Sequence, residues 1–237
     1  KFSFGGNLQL SNYSNTTQYD FYNTNYNTKI NFIKYGVFFK SSKTFINDKL
    51  GISFGVRLDQ DSFTEKNNVF ENISPRIALS LKISDDNKWK LNFASGRYFK
   101  IPTYTSLGFK DRNDMFLNKN SKYTRSDHYV GGLEFNWTES SRFTFETFYK
   151  KYNNYPISLV DGVSIANKGA GFEVLGNEKI LTEGKGKSYG LEFLYQQKLK
   201  NNFYGILSYT FFYSKFSGFD NIFLPSVWDN RHLFSFT

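Results

Sequence analysis

Strict alternation of apolar residues with polar or small ones recurs along this chain in windows of about ten residues, and it constrains the fold more than any other feature. In one such window Leu50, Ile52 and Phe54 alternate with Gly51 and Ser53. Successive residues of a β-strand point to opposite faces of a sheet. The pattern therefore predicts strands with one apolar face and one polar or small face.

Ten segments meet this criterion, and the links between them differ in length in a regular way. The candidate strands lie near residues 2–10, 29–40, 49–59, 75–84, 88–98, 127–138, 141–152, 187–198, 202–214 and 230–237. Links after even-numbered candidates are short and polar, and the long links are 11–28, 60–74, 99–126, 153–186 and 215–229. This regularity is typical of an up-and-down meander with turns at one rim and loops at the other, as in outer-membrane barrels.

The composition agrees with an all-β fold in a membrane. Aromatic residues make up 20% of the 237 residues, with 28 Phe and 17 Tyr, and aromatic side chains suit pleated surfaces. No run approaches the roughly 18 consecutive apolar residues that a membrane-spanning helix needs. This absence does not exclude a barrel, because barrel strands alternate and contain no such run. Aromatic residues near strand ends are expected to form interfacial girdles. They are Trp89, Tyr98, Tyr129, Trp137, Tyr149, Tyr209 and Tyr213.

Several kinds of site are excluded or disfavoured by the residue types present. The chain has no cysteine, which excludes disulfides, thiolate metal sites and thiol catalysis, and its two histidines leave little room for imidazole ligands. Neither acidic group in the long links, Asp59, Asp61 and Glu65 or Asp111 and Asp114, has the spacing of a calcium loop. The net charge of +9 comes from dispersed lysines, so no nucleic-acid partner is expected. No cofactor and no metal are predicted.

Five longer patterns occur in a fixed order over residues 74–237. They are SPRIALSLKI from Ser74, WKLNFASGRYFKIPTYTSLGF from Trp89, HYVGGLEFNWTESSRFTFETFYKKYNNY from His128, GKGKSYGLEFLYQQKLKNNFYGILSYTFFYS from Gly184 and WDNRHLFSF from Trp228. In this order and spacing they resemble the mid-barrel region of TonB-dependent outer-membrane receptors. Residues 1–73 are similar to that family only in their general residue pattern, without a specific motif. The abundance of Asn, Lys and Tyr resembles receptors of the Bacteroidetes type.

The resemblance implies a transmembrane antiparallel barrel of about 22 strands that is plugged by an N-terminal domain. Ten strands occupy 237 residues here, so about 22 strands would need roughly 520 residues. Residues 1–237 are therefore expected to be a single partial β-barrel domain, with the plug domain and the C-terminal strands absent. The implied function is uptake of a scarce nutrient across the outer membrane of a Gram-negative bacterium, by a receptor that is not an enzyme.

The resemblance also implies partners and plug-contacting residues. Gly190, Leu191 and Glu192 match a family pattern whose glutamate faces the barrel lumen and contacts the plug. A second acid is often found where this chain has Val130, and Glu134 is its expected substitute. The alternative is that Glu134, Glu146 and Glu192 are ordinary lumen-facing acids. Basic residues of other strands would satisfy them: Arg57, Arg76, Lys90 or Arg97. The implied partners are the plug, the inner-membrane TonB complex, outer-membrane lipid with its lipopolysaccharide and, in some receptors, a lid-like surface lipoprotein.

The link 99–126 is the expected ligand-contacting loop. Its basic residues suit an anionic ligand or lipopolysaccharide, and its aromatic residues suit stacking on a ligand ring or a sugar. The residues predicted to contact the ligand are Tyr104, Phe109, Lys110, Arg112, Phe116, Lys122, Tyr123 and Arg125.

Two alternatives remain open on the sequence alone. A complete ten-stranded outer-membrane barrel, acting as a surface protease or adhesin, requires the strand near Phe2 to pair with the last one. Its rim residues would be Asp127 with His128, and Asp229 with His232. A soluble aromatic-rich binding module is the second alternative. The string Gly186-Lys187-Ser188-Tyr189-Gly190 has the G-x-S-x-G form of serine hydrolases, but strand alternation continues where their helix would begin.

Overall fold

The computed structural model describes residues 1–19, 24–65, 68–169 and 175–237, with side chains for the same residues except 17–19 and 24–26. Residues 20–23, 66–67 and 170–174, within three of the predicted long links, lie outside the described part. The strands are β1 (Phe2–Tyr19), β2 (Thr24–Phe45), β3 (Leu50–Asp61), β4 (Ile73–Lys82), β5 (Trp89–Lys100), β6 (Thr124–Thr138), β7 (Ser141–Ser158), β8 (Ile180–Lys200), β9 (Phe203–Ser217), β10 (Leu224–Pro225) and β11 (His232–Phe236). The helical segments are α1 (Tyr104–Leu107) and two 3₁₀ turns, Val69–Asn72 and Ile165–Asn167.

These strands form one antiparallel sheet in which β1 to β9 pair in chain order. The tenth crossing strand is β11, which pairs with β9, while the two-residue β10 also pairs with β9 nearer the long loops. The predicted all-β up-and-down meander is confirmed. Among the described residues β1 and β11 do not pair with each other, so the sheet is open at both edges. No helix in these residues is long and apolar enough to cross a membrane.

Short turns and long loops lie at opposite rims, as the link lengths predict. The connections at one rim are 46–49, 83–88, 139–140 and 201–202, and we call this the short-turn rim. Those at the other are 62–72, 101–123, 159–179 and 218–231, which define the long-loop rim. Asparagines close several tight turns with positive φ: Asn47 at 49°, Asn87 at 57° and Asn201 at 51°. Asn tolerates the left-handed region better than most residues.

The predicted first link, 11–28, is wrong because both flanking strands continue through most of it. Pairing runs from Ser11 opposite Phe32 to Tyr19 opposite Thr24. The predicted link 153–186 is also too long, since β7 ends at Ser158 and β8 begins at Ile180. Most residues of the link 11–28 are polar, so apolar and polar residues no longer alternate there. The backbone pairing of the two strands nevertheless continues.

The two faces of the sheet have opposite chemistry. One face bears an open hollow of about 680 Å³, and the small or polar side chains along it include Ser53, Ala78, Asn92 and Glu146. We call this face the inner face. The outer face carries large apolar side chains that stand exposed, such as Phe145 at 48%. Directly paired residues lie on the same face, so through the middle of the sheet the small and polar residues share the inner face and the large apolar ones share the outer face. We call the odd or even position of a residue in its strand its parity.

Two rows of aromatic residues cross the outer face. Near the short-turn rim Trp89, Phe135, Phe143 and Tyr195 are cross-strand partners in succession. Toward the long-loop rim Tyr129, Tyr149, Tyr189 and Tyr213 form a second row, with ring centroids 6.5 Å and 5.3 Å apart for the last two pairs. We call this the tyrosine row. Such rows are where interfacial girdles of membrane barrels lie.

One predicted girdle residue, Tyr98, is on the other face. Tyr98 has the parity of Lys90 and Asn92, and its ring contacts Arg76 and His128 on the inner face. Its chemistry suits an interface, but its position in the strand places it inside the curved sheet. The girdle prediction for Tyr98 is therefore wrong.

Candidate functional site

The loop 101–123 packs against the inner face of the β1–β2 hairpin, and the two are held together by a small apolar core. Its one-turn helix α1 presents Leu107, which is fully buried, to Ile30 and Phe32 of β2. The same cluster includes Tyr104 and Phe116 of the loop, and Phe63 contacts Phe116 edge-on at 5.2 Å. We call this cluster the loop core. It fixes the loop against the wall of the sheet.

Tyr104 contributes both packing and a polar contact to the loop core. Its ring meets Phe32 edge-on at 5.3 Å, and its hydroxyl accepts a hydrogen bond from Lys34 Nζ at 2.7 Å. Burial disfavours the phenolate, but the contacts with Lys34 and Ser11 together outweigh burial and hold the pKa of Tyr104 below its usual value. Tyr104 therefore links α1 to β2 through both a hydrogen bond and an aromatic contact.

Tyr123 is anchored at the other end of the same loop. It is 4% exposed, and its hydroxyl donates to Asp61 Oδ2 at 2.6 Å. Asp61 also accepts from the backbone N–H groups of Phe63 and Thr64 and from the Thr64 hydroxyl. Burial, together with this neighbouring carboxylate, raises the pKa of Tyr123. The contact closes loop 101–123 onto the end of β3.

The acidic residues considered for calcium have other roles. Asp59 pairs with Arg57 at 2.6 Å, and Glu65 pairs with Lys119 at 3.2 Å. Asp114 pairs with Lys110 at 2.8 Å. Within the described ranges no three acidic or imidazole groups converge in a way that could hold a metal ion.

The eight predicted ligand-contacting residues do not form a single surface. Tyr104, Phe116 and Tyr123 pack into the structure of the loop, and Phe109 and Lys110 are half-buried. Arg112 and Lys122 are exposed toward solvent. Arg125 stands beside Asp127, with Nε 3.2 Å from the carboxylate. The ligand-contacting role stays a prediction, and among these side chains Arg112 and Lys122 have the most accessible positions.

Glu134 is neutralised within the wall of the sheet. Its Oε1 accepts from Lys90 Nζ at 2.8 Å and from the Asn136 side chain at 3.1 Å. Lys90 is one of the partners that the sequence offers for such a glutamate. Arg97, another of them, has the opposite parity: it lies on the outer face and binds Asp127 at 2.6 Å. The expectation that Arg97 serves an inner-face glutamate is therefore wrong.

Glu192 has a different setting from Glu134. It lies on the inner face directly opposite Glu146 of β7, and within the described residues neither carboxylate forms a salt bridge. Both line a cavity of about 240 Å³ together with Asn92, Glu134 and Arg142. Like charges directly opposite one another across strands are destabilising. Sequence reasoning noticed Glu146 only as an inner-face acid, because the long loop 159–179 between β7 and β8 does not fix the register that pairs it with Glu192.

The rim residues proposed for a surface protease are not assembled. His128 is on the inner face with Nε2 2.6 Å from Ser126 Oγ, whereas Asp127 faces outward. His232 is on the outer face with Nδ1 2.7 Å from Tyr209 Oη, whereas Asp229 is nearly buried beside Arg231. Adjacent residues of a strand point to opposite faces, which separates His128 from Asp127, whereas Asp229 lies in the loop before β11 and pairs with Arg231. Ser188 lies within β8 and bonds the Ser214 hydroxyl at 2.9 Å, with no following helix.

Comparison with known proteins agrees with this geometry. Residues 1–236 match the family described as TonB dependent receptor-like, beta-barrel, and the chain belongs to that family. Members of the family are receptors and transporters of the Gram-negative outer membrane. A search of curated proteins finds no match.

Solved structures show the same fold at low sequence identity. FpvAI in complex with pyocin S2 superposes with a TM-score of 0.66 at 12% identity, over 99% of this chain and 33% of that one. The alcaligin outer-membrane receptor FauA from Bordetella pertussis gives 0.57 at 14%, over 99% and 43%. The siderophore receptor PirA from Pseudomonas aeruginosa gives 0.56 at 16%, over 79% and 33%. This chain thus spans roughly a third to two fifths of the length of these structures.

Proposed function

We propose that residues 1–237 form part of the barrel wall of a TonB-dependent transporter, which takes up a scarce nutrient across the outer membrane. The observation that carries the proposal is the open sheet with one apolar and one polar face. In lipid every strand needs a partner on both sides. The free edges of β1 and β11 therefore call for further strands, and the larger size of the solved structures supports the same idea.

A longer protein would supply the remaining parts. In this proposal the chain is a single partial barrel domain, and a plug, further C-terminal strands and the contact with the TonB complex lie elsewhere in the protein. We also propose a Bacteroidetes-type receptor, with a lid-like lipoprotein as a further partner. The intact mass of the native protein extracted from its membrane tests the partial-barrel proposal: several times 27.7 kDa supports it, and a value near 27.7 kDa would refute it.

The transported solute has to be found by experiment. One structural neighbour is named a copper transporter and others are named siderophore receptors, so copper and iron chelates are the first solutes to test. Uptake should be compared between cells with and without the full-length protein, each with and without a protonophore. The proposal predicts at least one solute whose uptake requires both the protein and the energised membrane. If iron chelates, copper, cobalamin, glycans and peptides all enter equally in both strains, transport is the wrong function.

Glu192 is the residue of the inner face best placed to hold the plug. Unlike Glu134, it forms no salt bridge in the described part of the sheet, and Glu146 beside it doubles the negative charge. We expect a basic group of the plug to neutralise this pair, since two unpaired carboxylates in an enclosed lumen are costly. Glu134 is the weaker candidate because Lys90 already neutralises it.

The test of this contact compares two glutamates of one strand. Glu192→Ala in the full-length protein should loosen the plug and admit large antibiotics, whereas Glu183→Ala, which changes an exposed residue of the outer face, should not. Sensitivity of cells to a large antibiotic and protection of the plug from protease provide the two readouts. Unchanged permeability together with unchanged protection in Glu192→Ala would rule out the contact.

The complete ten-stranded enzyme is the less favoured candidate. It requires β1 to pair with the last strand and a His to meet an Asp at the rim, and the geometry described above opposes both.

A further inference from the structure

Three lysines stand side by side on the outer face at the long-loop rim. Lys151 of β7 is the direct cross-strand partner of Lys187 of β8, which in turn is the partner of Lys215 of β9. Neighbouring strands are about 4.8 Å apart, so the three side chains begin within roughly 10 Å. We call them the outer lysine row.

The row carries positive charge that the sheet leaves uncompensated. Among the described residues none of the three lysines forms a salt bridge with a carboxylate. Asp127, the acid at the same level on β6, is already shared by Arg97 at 2.6 Å and Arg125 at 3.2 Å. Like charges on directly opposite residues destabilise a sheet. An anion bound from outside would remove that cost.

Two of the lysines lie along apolar surface rather than extending into solvent. Lys187 Nζ is 4.7 Å from the centre of the Phe223 ring, and Lys215 Nζ is 5.8 Å from that of Tyr213. The Lys187 ammonium thus lies against the loop 218–231 and the Lys215 ammonium against the wall, so both remain close to aromatic surface. This is how lysines behave at the boundary between lipid and water.

The level of the row on the sheet indicates what kind of anion it meets. The residues two positions nearer the barrel centre are Tyr149, Tyr189 and Tyr213 of the tyrosine row, which marks an edge of the apolar band. The corresponding level beyond the aromatic row of the short-turn rim holds Ser141, Gln197 and Gly205, with no lysine. At this level of β7, β8 and β9 lysines therefore occur only toward the long-loop rim, just beyond the lipid-facing band and below the long loops.

We propose that the outer lysine row binds the phosphate groups of an anionic glycolipid in the leaflet next to the long loops. Lysine ammonium groups and phosphate oxygens form charge-assisted hydrogen bonds, and a headgroup that carries two phosphates can span neighbouring strands. The tyrosine row would lie against the start of the acyl chains. This site uses strand residues instead of the loop residues Lys110 and Arg112. It requires the outer face to meet lipid, and it does not depend on nutrient transport.

The test uses the full-length receptor in detergent, with bisphosphorylated lipid A as the probe and native mass spectrometry as the readout. The variant is Lys151→Gln with Lys187→Gln and Lys215→Gln. The matched control removes the same charge at the short-turn rim through Lys88→Gln, Lys198→Gln and Lys200→Gln. A third variant, with arginine at the three row positions, keeps the charge. We expect the glutamine row variant to lose at least tenfold in apparent affinity, and the control and arginine variants to bind like the wild type.

Three results would overturn the proposal. The first is equal lipid retention by the wild type and the glutamine row variant. The second is equal loss in the row variant and the short-turn control, which would indicate net charge alone. The third is displacement of the lipid by millimolar inorganic phosphate, or equal binding of the dephosphorylated lipid, either of which would assign the row to another ligand. Heat-modified migration on a gel checks that each variant is folded. Uptake assays on the same variants show separately whether transport fails.

Discussion

The same strands form the outer and the inner face of the sheet, yet the two faces differ in the polarity and size of their side chains. Leu91 and Phe145 on the outer face are 45% and 48% exposed, although both are large and apolar. Their neighbours in sequence, Asn92 and Glu146, are polar and line hollows on the inner face. In a water-soluble sheet the arrangement is reversed, because the concave side holds the apolar core. The comparison shows that the outer face is built for lipid.

The largest expected difference between the faces comes from a charge placed on each of them. Phe145→Arg puts a guanidinium into the middle of the apolar band and should lower the free energy of unfolding by about 2–4 kcal/mol. Thr144→Arg places the same group on the inner face near Glu134 and Glu192, where it should cost little. Urea unfolding of the full-length protein in lipid vesicles measures both. Equal destabilisation by the two changes would contradict the assignment of faces.

A smaller effect is expected from adding one methyl group to each face. A Cβ at Gly190 on the inner face would clash with the Phe211 carbonyl oxygen, so Gly190→Ala has to displace backbone and should cost about 1–3 kcal/mol. At Gly131 on the outer face the nearest atom would be 3.9 Å away, and Gly131→Ala should be neutral or slightly stabilising. The same unfolding assay compares the two. A neutral Gly190→Ala would show that this close approach of β8 and β9 is not maintained.

The two rims can be compared in the same way, starting with the buried contact at the long-loop rim. Tyr123→Phe removes the hydroxyl that donates to Asp61 and should cost about 1.5 kcal/mol, since a hydrogen bond to a buried carboxylate is lost. The loop 101–123 should then exchange its amide hydrogens faster. Tyr204→Phe, at a residue that is 67% exposed, is the control and should change neither property. Unchanged exchange in Tyr123→Phe would mean that this contact does not hold the loop.

The smallest effect belongs to the short-turn rim, where Asp85 meets Lys49 at 2.8 Å in water. The hydrogen bond and charge of Lys49 hold the pKa of Asp85 below its usual value. A lowered folded-state pKa stabilises the fold above the unfolded value of about 3.9, and this contribution disappears as the pH falls through the folded value. Asp85→Asn should therefore be slightly less stable than the wild type at neutral pH and equal to it in acid. A difference that persists in acid would point to another cause.

The face on which most strand residues lie can be predicted from the sequence, because the alternation of apolar and polar residues shows which positions share a face. The parity of Lys90 and Glu134 places both on the inner face, and the register brings them together. Tyr98 and Arg97 were assigned by chemistry instead of by parity, and both assignments are wrong. The long β1–β2 hairpin is missing from the prediction because most residues of 11–28 are polar, so the apolar alternation stops while the strand pairing continues.

The loop core was beyond sequence reasoning for a different reason. Tyr104 and Phe116 pack against Phe32 and Phe63, which are distant in sequence, and an aromatic residue that packs looks the same in the sequence as one that stacks on a ligand. Only the folded positions separate the two roles.

The most direct test of the account is the accessibility of single spin labels on the two faces of the full-length protein in outer-membrane lipid. This chain has no cysteine, so Phe145→Cys and Thr144→Cys each provide one label site within it. The account predicts that a label at position 145 is relaxed mainly by lipid-soluble oxygen and a label at position 144 mainly by a water-soluble nickel chelate. The reverse order, or equal exposure of both labels to the chelate, would contradict a lipid-facing outer face and with it the barrel.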